Sequence, residues 1–304
     1  MAQTPVDDIL LNFNQDNVFW LNVCLAFIMY GVALELKPAD FLYLIRHPKS
    51  AIAGVVSQFL ALPLLTYLLI LLLEPTPSIA LGMMLVAACP GGNVSNFMSA
   101  MARGNIALSV SLTAFSTALS IVMTPFNLAF WAGLYEPTAM ILRQVSIDSQ
   151  SVFETIALIL GVPLLLGMLT RKFFALFAEK AQKIIKPVSI LIFAALIVLA
   201  IAANLDNIVN YLYLVLFYVL LHNALALGTG YSIGKLSGLQ ESDCRSLSIE
   251  TGIQNSGLGL LLIFSFFDGL GGMALVAAWW GIWHLIAGLT LATYWSRQVT
   301  TVPS

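Results

Sequence analysis

Along this 304-residue chain, polar and charged residues gather in short clusters that separate long apolar runs. Nine such runs cover roughly 17–36, 49–73, 78–102, 104–132, 151–171, 185–204, 208–235, 243–267 and 271–296. A helix crossing the hydrocarbon core of a bilayer needs about 20 mainly apolar residues. Each run is long enough, so the pattern predicts an all-α polytopic membrane protein with nine transmembrane helices. The connectors carry turn signals at Lys37-Pro38, Glu74-Pro75-Thr76-Pro77, Arg103-Gly104 and Gly269 to Gly272. No stretch between them is long enough to form a hydrophilic domain, and a single membrane unit over residues 1–304 is expected.

Composition points the same way. The chain is 60% hydrophobic and 9% charged, against about 25% charged residues in a soluble domain. A net charge of −2 gives no sign of a nucleic-acid partner. Cys24, Cys89 and Cys244 lie far apart and match neither a metal spacing nor a disulfide framework. The first sixteen residues carry acids and no basic n-region, so the first apolar run is expected to be a retained helix rather than a cleaved signal. Basic residues accumulate in cytoplasmic connectors. With the N-terminus outside, 12 of the 13 basic residues fall inside (Lys37, Arg46, Lys49, Arg103, Arg171, Lys172, Lys180, Lys183, Lys186, Lys235, Arg245 and Arg297) and only Arg143 outside. The outer segments hold Asp7, Asp8, Asp16, Glu74, Glu136, Asp148, Asp206 and Asp268. The expected placement is a multi-pass protein of the cell inner membrane with its C-terminus cytoplasmic.

Two of the runs are interrupted near mid-membrane. The third contains Cys89-Pro90-Gly91-Gly92-Asn93-Val94-Ser95-Asn96, and the eighth contains Glu250-Thr251-Gly252-Ile253-Gln254-Asn255-Ser256-Gly257. Proline removes a helix donor and crowds the preceding turn, and glycine adds backbone freedom. Backbone groups freed at that depth must line a cavity or be buried in protein. Half-helix N-termini then present partial positive charge to anions, and freed carbonyls present oxygen to cations. The interrupted runs are five spans apart, so they cross in opposite senses. The first four helices would correspond to the last four in an inverted-topology repeat, with the fifth unmatched. Such paired interruptions mark transporter binding sites, although packing kinks held by neighbours would look alike.

Glu250 is the residue with most chemistry. A carboxylate at a helix centre costs ~3 kcal/mol on insertion scales, and no Lys or Arg lies at its depth in another run. Arg245 is expected at the inner surface. Glu250 therefore stays protonated or meets a cation, and hard cations take carboxylate, amide, hydroxyl and carbonyl oxygens. Gln254 and Asn255 stand beside it. Ser109 and Thr113 are four apart and share a helix face, which Ser116 and Ser120 continue. Such hydroxyls also bond their own helix backbone. Gln58 is a lone amide in the second run and serves either as interhelical glue or as a ligand. His222 and His284 lie inside runs, where a hydrogen-bonded core histidine is the commoner outcome. No nucleophile–His–acid grouping, Walker loop or dinucleotide fingerprint is present, and no enzymatic activity is expected.

CPGGNVSN (89–96), ARGNIALS (102–109), Thr113 and ETGIQNSG (250–257), in this order and spacing, resemble the bile acid:sodium symporter family over nearly the whole chain. The resemblance implies two broken helices crossing in a core domain (about 49–132 and 208–296), beside a panel domain (about 17–36 and 151–204). It implies two sodium ions. One site would use Ser95, Asn96, Ser109, Thr113 and Glu250. The other would use Gln58, Glu250 and Gln254 with the carbonyls of Thr251 and Ile253. Asn93, Val94, Asn255, Ser256 and His284 would face the substrate. Some bacterial members have ten spans and a threonine where Asn93 stands. The family handles bile salts, sulfated steroids, pantoate and keto acids.

Sodium-coupled import of a small organic anion by alternating access is the function this implies, with sodium neutralising Glu250 and helix ends receiving the anion. A sodium/proton antiporter on a similar plan and a membrane receptor that binds a solute without moving it are the rival expectations. Oligomeric state is left open.

Overall fold

The structure, a computed structural model, describes residue 7 and residues 18–144, 149–203 and 205–298. Asp8, Asp16 and Asp148 lie outside the described residues. Helix α1 (Val18–Ala33) is followed by a short α2 (Pro38–Arg46). Helix α3 (Pro48–Val56), one π turn (Ser57–Ala61) and α4 (Leu62–Leu73) run on as a continuous 26-residue segment. Then come α5 (Pro77–Ala88), α6 (Val94–Met101), α7 (Ile106–Leu134), α8 (Glu136–Gln144), α9 (Ser149–Phe173), α10 (Ala175–Ala203), α11 (Leu205–Leu236), α12 (Glu241–Gly252), α13 (Ser256–Phe266) and α14 (Gly271–Arg297). Each apolar run of the sequence is mainly helical where it is described, and the third and eighth are interrupted at residues 89–93 and 253–255. Among the described residues, four segments are long and apolar enough to cross a bilayer without a break: Pro48–Leu73, Ile106–Leu134, Tyr211–Leu236 and Gly271–Arg297. The protein is an all-helical, multi-pass membrane protein.

Helices α2 and α8 fall in stretches that the apolar pattern reads as connectors. Pro38 opens α2 with its φ already helical, and Asp40 Oδ2 accepts from the Lys37 N–H at 2.9 Å. In α8, Glu136 in the first turn pairs with Arg143 in the last at 3.0 Å. Nine residues rise only about 14 Å, so neither can span, and a search for long apolar runs passes over both.

The interrupted segments form the centre of the molecule. From Ser78 to Ala88 every residue of α5 is buried, as is every residue from Cys244 to Gly252 in α12 and from Ser256 to Phe264 in α13. Lipid tails are as apolar as leucine, so helices in a bilayer associate through close packing of small residues. Gly82 of α5 meets α14 in this way: a Cβ there would lie 2.8 Å from Met273 Cα. Outward faces are apolar. Leu60 in the π turn and Leu64, Leu68 and Leu71 in α4 stand exposed in a stripe at helical spacing, and Ile282, Ile286 and Leu289 do so on α14. In water such stripes would aggregate; in hydrocarbon they are solvated.

Candidate ion-binding site

Helix α5 stops where its sequence forbids continuation. Pro90 has no N–H and restricts its predecessor to extended backbone, and Cys89 has φ −71°, ψ 154°. Twelve residues rise about 18 Å, so α5 ends inside the protein, and α6 resumes four residues after Pro90. Helix α12 ends at Gly252 in the same way and α13 starts at Ser256. Asn255 caps α13 by accepting from the Leu258 N–H at 3.0 Å. The two breaks meet in antiparallel register at Gly91 and Gln254. The Gly92 N–H donates to the Ile253 carbonyl at 2.7 Å, and the Asn255 N–H to the Pro90 carbonyl at 2.8 Å. Gly91 keeps this space open, because a Cβ there would run into Glu250 Oε1 and displace the carboxylate.

Glu250, 4% exposed on the last turn of α12, points into a cluster of oxygens. Its Oε2 is 2.6 Å from Ser95 Oγ and 3.3 Å from Ser109 Oγ, and its Oε1 is 2.7 Å from Thr113 Oγ1. Asn96 Oδ1 completes the group, 2.9 Å from Ser109 Oγ and 3.1 Å from Thr113 Oγ1. Thr113 Oγ1 is also 3.0 Å from the Ser109 carbonyl. A hydroxyl has one hydrogen to give. Three hydroxyl hydrogens therefore serve six close approaches, and at most three of these can be hydrogen bonds at once. The cluster is rich in lone pairs and poor in protons, which suits a cation. It carries one formal charge, and among the described residues no group of three or more His, Cys, Asp or Glu could hold a metal ion. One carboxylate among neutral oxygens matches a hard monovalent ion.

The second set of candidates lies alongside. Gln58 sits in the π turn, a device common at functional sites. Its Nε2 donates to the Cys89 carbonyl at 2.8 Å and to Gln254 Oε1 at 2.9 Å. Gln254 Nε2 returns a bond to Gln58 Oε1 at 3.1 Å and reaches the Thr251 carbonyl at 2.6 Å. Gln58 and Glu250 line one small cavity with Gly54, Phe115 and Ser116. The Thr251 and Ile253 carbonyls each already accept one bond and keep a second lone pair.

The substrate candidates are more dispersed. Asn93 and Val94 are exposed on the outer side of the crossing. Asn255 is occupied by the α13 cap and by Pro90. Ser256 is buried against α14, where a Cβ on Gly281 would meet its Oγ at 2.9 Å. His284 is buried one turn further along α14, with its Nδ1 unpartnered. Ser116 and Ser120 bond to the Thr113 and Thr117 carbonyls of their own helix. His222 is a core residue whose Nε2 lies 2.7 Å from Thr66 Oγ1. Arg245 is 2% exposed, pairs with Glu241 at 3.1 Å and donates to the Ala102 and Trp295 carbonyls. Those partners absorb its charge away from Glu250.

Three buried polar residues that complete the breaks escaped the sequence reading. Thr124 Oγ1 donates to the Ala88 carbonyl at 2.8 Å, Asn127 Nδ2 to the Phe59 carbonyl in the π turn at 3.0 Å, and Asn223 Nδ2 to the Gly252 carbonyl at 2.8 Å. Each is a polar side chain inside an apolar run, the same signal that singles out Gln58.

The sequence profile of the sodium bile acid symporter family matches residues 22–211. Over 280 residues the chain is 33% identical to the uncharacterized sodium-dependent transporter YocS of Bacillus subtilis strain 168, covering 92% of this chain and 84% of that protein. The chain belongs to the sodium bile acid symporter family. Two further members are similar at comparable levels. The probable sodium/metabolite cotransporter BASS1 of Arabidopsis thaliana, chloroplastic, is 32% identical over 94% of this chain and 69% of its own length. The probable sodium/metabolite cotransporter BASS2 of Oryza sativa subsp. japonica, chloroplastic, is 31% identical over 92% and 66%. Membership makes this protein a sodium-dependent membrane transporter, with sodium as the ion that accompanies a small-molecule substrate.

Proposed function

We propose that the protein imports a small organic anion by sodium-coupled symport across the cell inner membrane. The proton-poor oxygen cluster around Glu250, set where two interrupted helices meet, carries this proposal. In it Ser95, Asn96, Ser109, Thr113 and Glu250 hold one sodium ion. A second ion takes Gln58, Glu250 and Gln254 with the Thr251 and Ile253 carbonyls, the amide pair turning one oxygen lone pair each toward the ion. Both ions bind across the crossing, so they lock the four half-helices into one geometry. Asn93, Val94, Ser256 and His284 then border the anion, whose charge is met by half-helix N-termini rather than by arginine.

Nine spans, N-terminus outside, arranged as an inverted repeat around the crossing, are part of the same proposal. So is a division into a core (about 49–132 and 208–296) that moves against a panel (about 17–36 and 151–204). Two sodium ions with one monoanion carry net charge inward, favoured by ~2.3 kcal/mol per charge per 100 mV. Uptake of radiolabelled carboxylates into proteoliposomes should require an inward sodium gradient and accelerate when the interior is made negative. Uptake indifferent to both refutes the proposal. Acidification driven by sodium alone would instead mark an antiporter, and saturable binding without accumulation a receptor.

A further inference from the structure

The antiparallel joint pairs Gly91 with Gln254, so Cys89 and Gly252 occupy equivalent places, each two residues before the pairing position. Both carry a carbonyl that the break has released from its helix. Both carbonyls are claimed by a side-chain amide from the helix preceding the broken segment: Gln58 Nε2 on Cys89 O at 2.8 Å and Asn223 Nδ2 on Gly252 O at 2.8 Å. Gln58 and Asn223 thus do the same work on the two sides of the crossing. The sides then diverge. Gln58 is one methylene longer and reaches across to Gln254, whereas the position opposite Gln254 is Gly91, which offers no side chain. Asn223 is fully buried, its Oδ1 has no partner among the described residues, and its amide is committed to Gly252.

Gly252 is the last residue of α12, two residues after Glu250 and one after Thr251. A terminal turn with a free carbonyl can fray or tighten, and either change swings Glu250 out of reach of Ser95, Ser109 and Thr113. Resting on the sodium-coupled function proposed above, we infer that Asn223 is a positioning residue for the ion site. It touches no ion; it pins the end of α12 so that the Glu250 carboxylate and the Thr251 carbonyl face the ions.

Sodium itself is the probe for the test. Detergent-purified parent, N223L and N223D are melted across a NaCl titration, with choline chloride holding ionic strength constant. N223L removes the donor at similar volume, and N223D replaces it with an acceptor facing the carbonyl. S248A is the structural control, since it removes the neighbouring α11–α12 bond from Ser248 Oγ to the Leu227 carbonyl. The sodium midpoint of N223L and N223D should rise about fivefold or more, as expected for the loss of a buried hydrogen bond. S248A should lower the sodium-free melting temperature without moving the midpoint. The inference is overturned if both Asn223 variants keep the parental midpoint, if S248A moves it equally, or if neither Asn223 variant folds, which would make the residue purely structural. A parent that shows no sodium response overturns the proposed function instead.

Discussion

Glu250→Gln separates the ion from the fold. Glutamine has the length and shape of glutamate, so the space at the end of α12 is kept. Its amide oxygen can accept from the Ser95 and Thr113 hydroxyls that now sit 2.6 and 2.7 Å from the carboxylate. Its NH2 group can donate to the same hydroxyls once they turn. The substitution also removes an ionisable group that is 4% exposed. The sodium-free protein should therefore melt at or slightly above the parental temperature. What disappears is linkage: a ligand at a hundredfold its Kd stabilises the folded state by about 2.7 kcal/mol. At about 2–4 °C per kcal/mol, parental protein saturated with sodium should gain about 5 °C or more. The six tryptophans provide the fluorescence signal for melts in NaCl against choline chloride. E250Q should show almost no sodium-dependent rise. A rise equal to that of the parent would place the ion elsewhere and refute the reasoning.

Three further outcomes follow from the same geometry. Gly91→Ala pushes a methyl into Glu250 Oε1 and the nearby Glu250 carbonyl; overpacking of about 1–3 kcal/mol should appear as a lower melting temperature together with a weaker sodium response in titrated melts. Gln58→Leu strips the Cys89 carbonyl and Gln254 Oε1 of their Gln58 donor and leaves Gln254 Nε2 only the Thr251 carbonyl; it should cost about 2 kcal/mol or more, read as a fall in sodium-free melting temperature. Glu241 gives a pH dependence: burial would raise its carboxyl, but hydrogen bonds from Lys235, Arg245 and Tyr231 outweigh this and hold it below its ordinary value. A depressed carboxylate lends stability that is full above its unfolded pKa of about 4.3 and is lost as pH falls through the folded value. Melting temperature should drop on acidification below that point in the parent and drop less in E241Q.

The helices and the breaks were legible because lipid imposes strong rules. Apolar runs of sufficient length must be helical, and Pro90 with two following glycines cannot continue one. The charge of Glu250 stood out for the same reason. Less legible were features set by three-dimensional neighbours. Helices α2 and α8 are short and amphipathic, so hydropathy hides them. The partners of Arg245 were hidden as well, because the Ala102 and Trp295 carbonyls that satisfy its guanidinium are remote in sequence. The reciprocal bonds of Gln58 with Gln254 were not legible, because the two residues are 196 positions apart. Asn127 and Asn223 carry the same signal as Gln58, a buried amide in an apolar run, and applying that rule uniformly would have found them. Ser116 and Ser120 show the rule's failure mode, since each spends its hydroxyl on its own helix.

The joint at Gly91 and Gln254 is sewn by main-chain groups, from Gly92 to Ile253 and from Asn255 to Pro90. Stitches of that kind are indifferent to the side chains around them. Asn93, Val94 and Phe97 lean outward from the seam, so evolution is free to rewrite that rim without unpicking the fabric beneath. On the function proposed above, a lineage trades one cargo for another at this rim while keeping its motor unchanged, and a library randomised at those three positions should stay folded far more often than one randomised at the glycines.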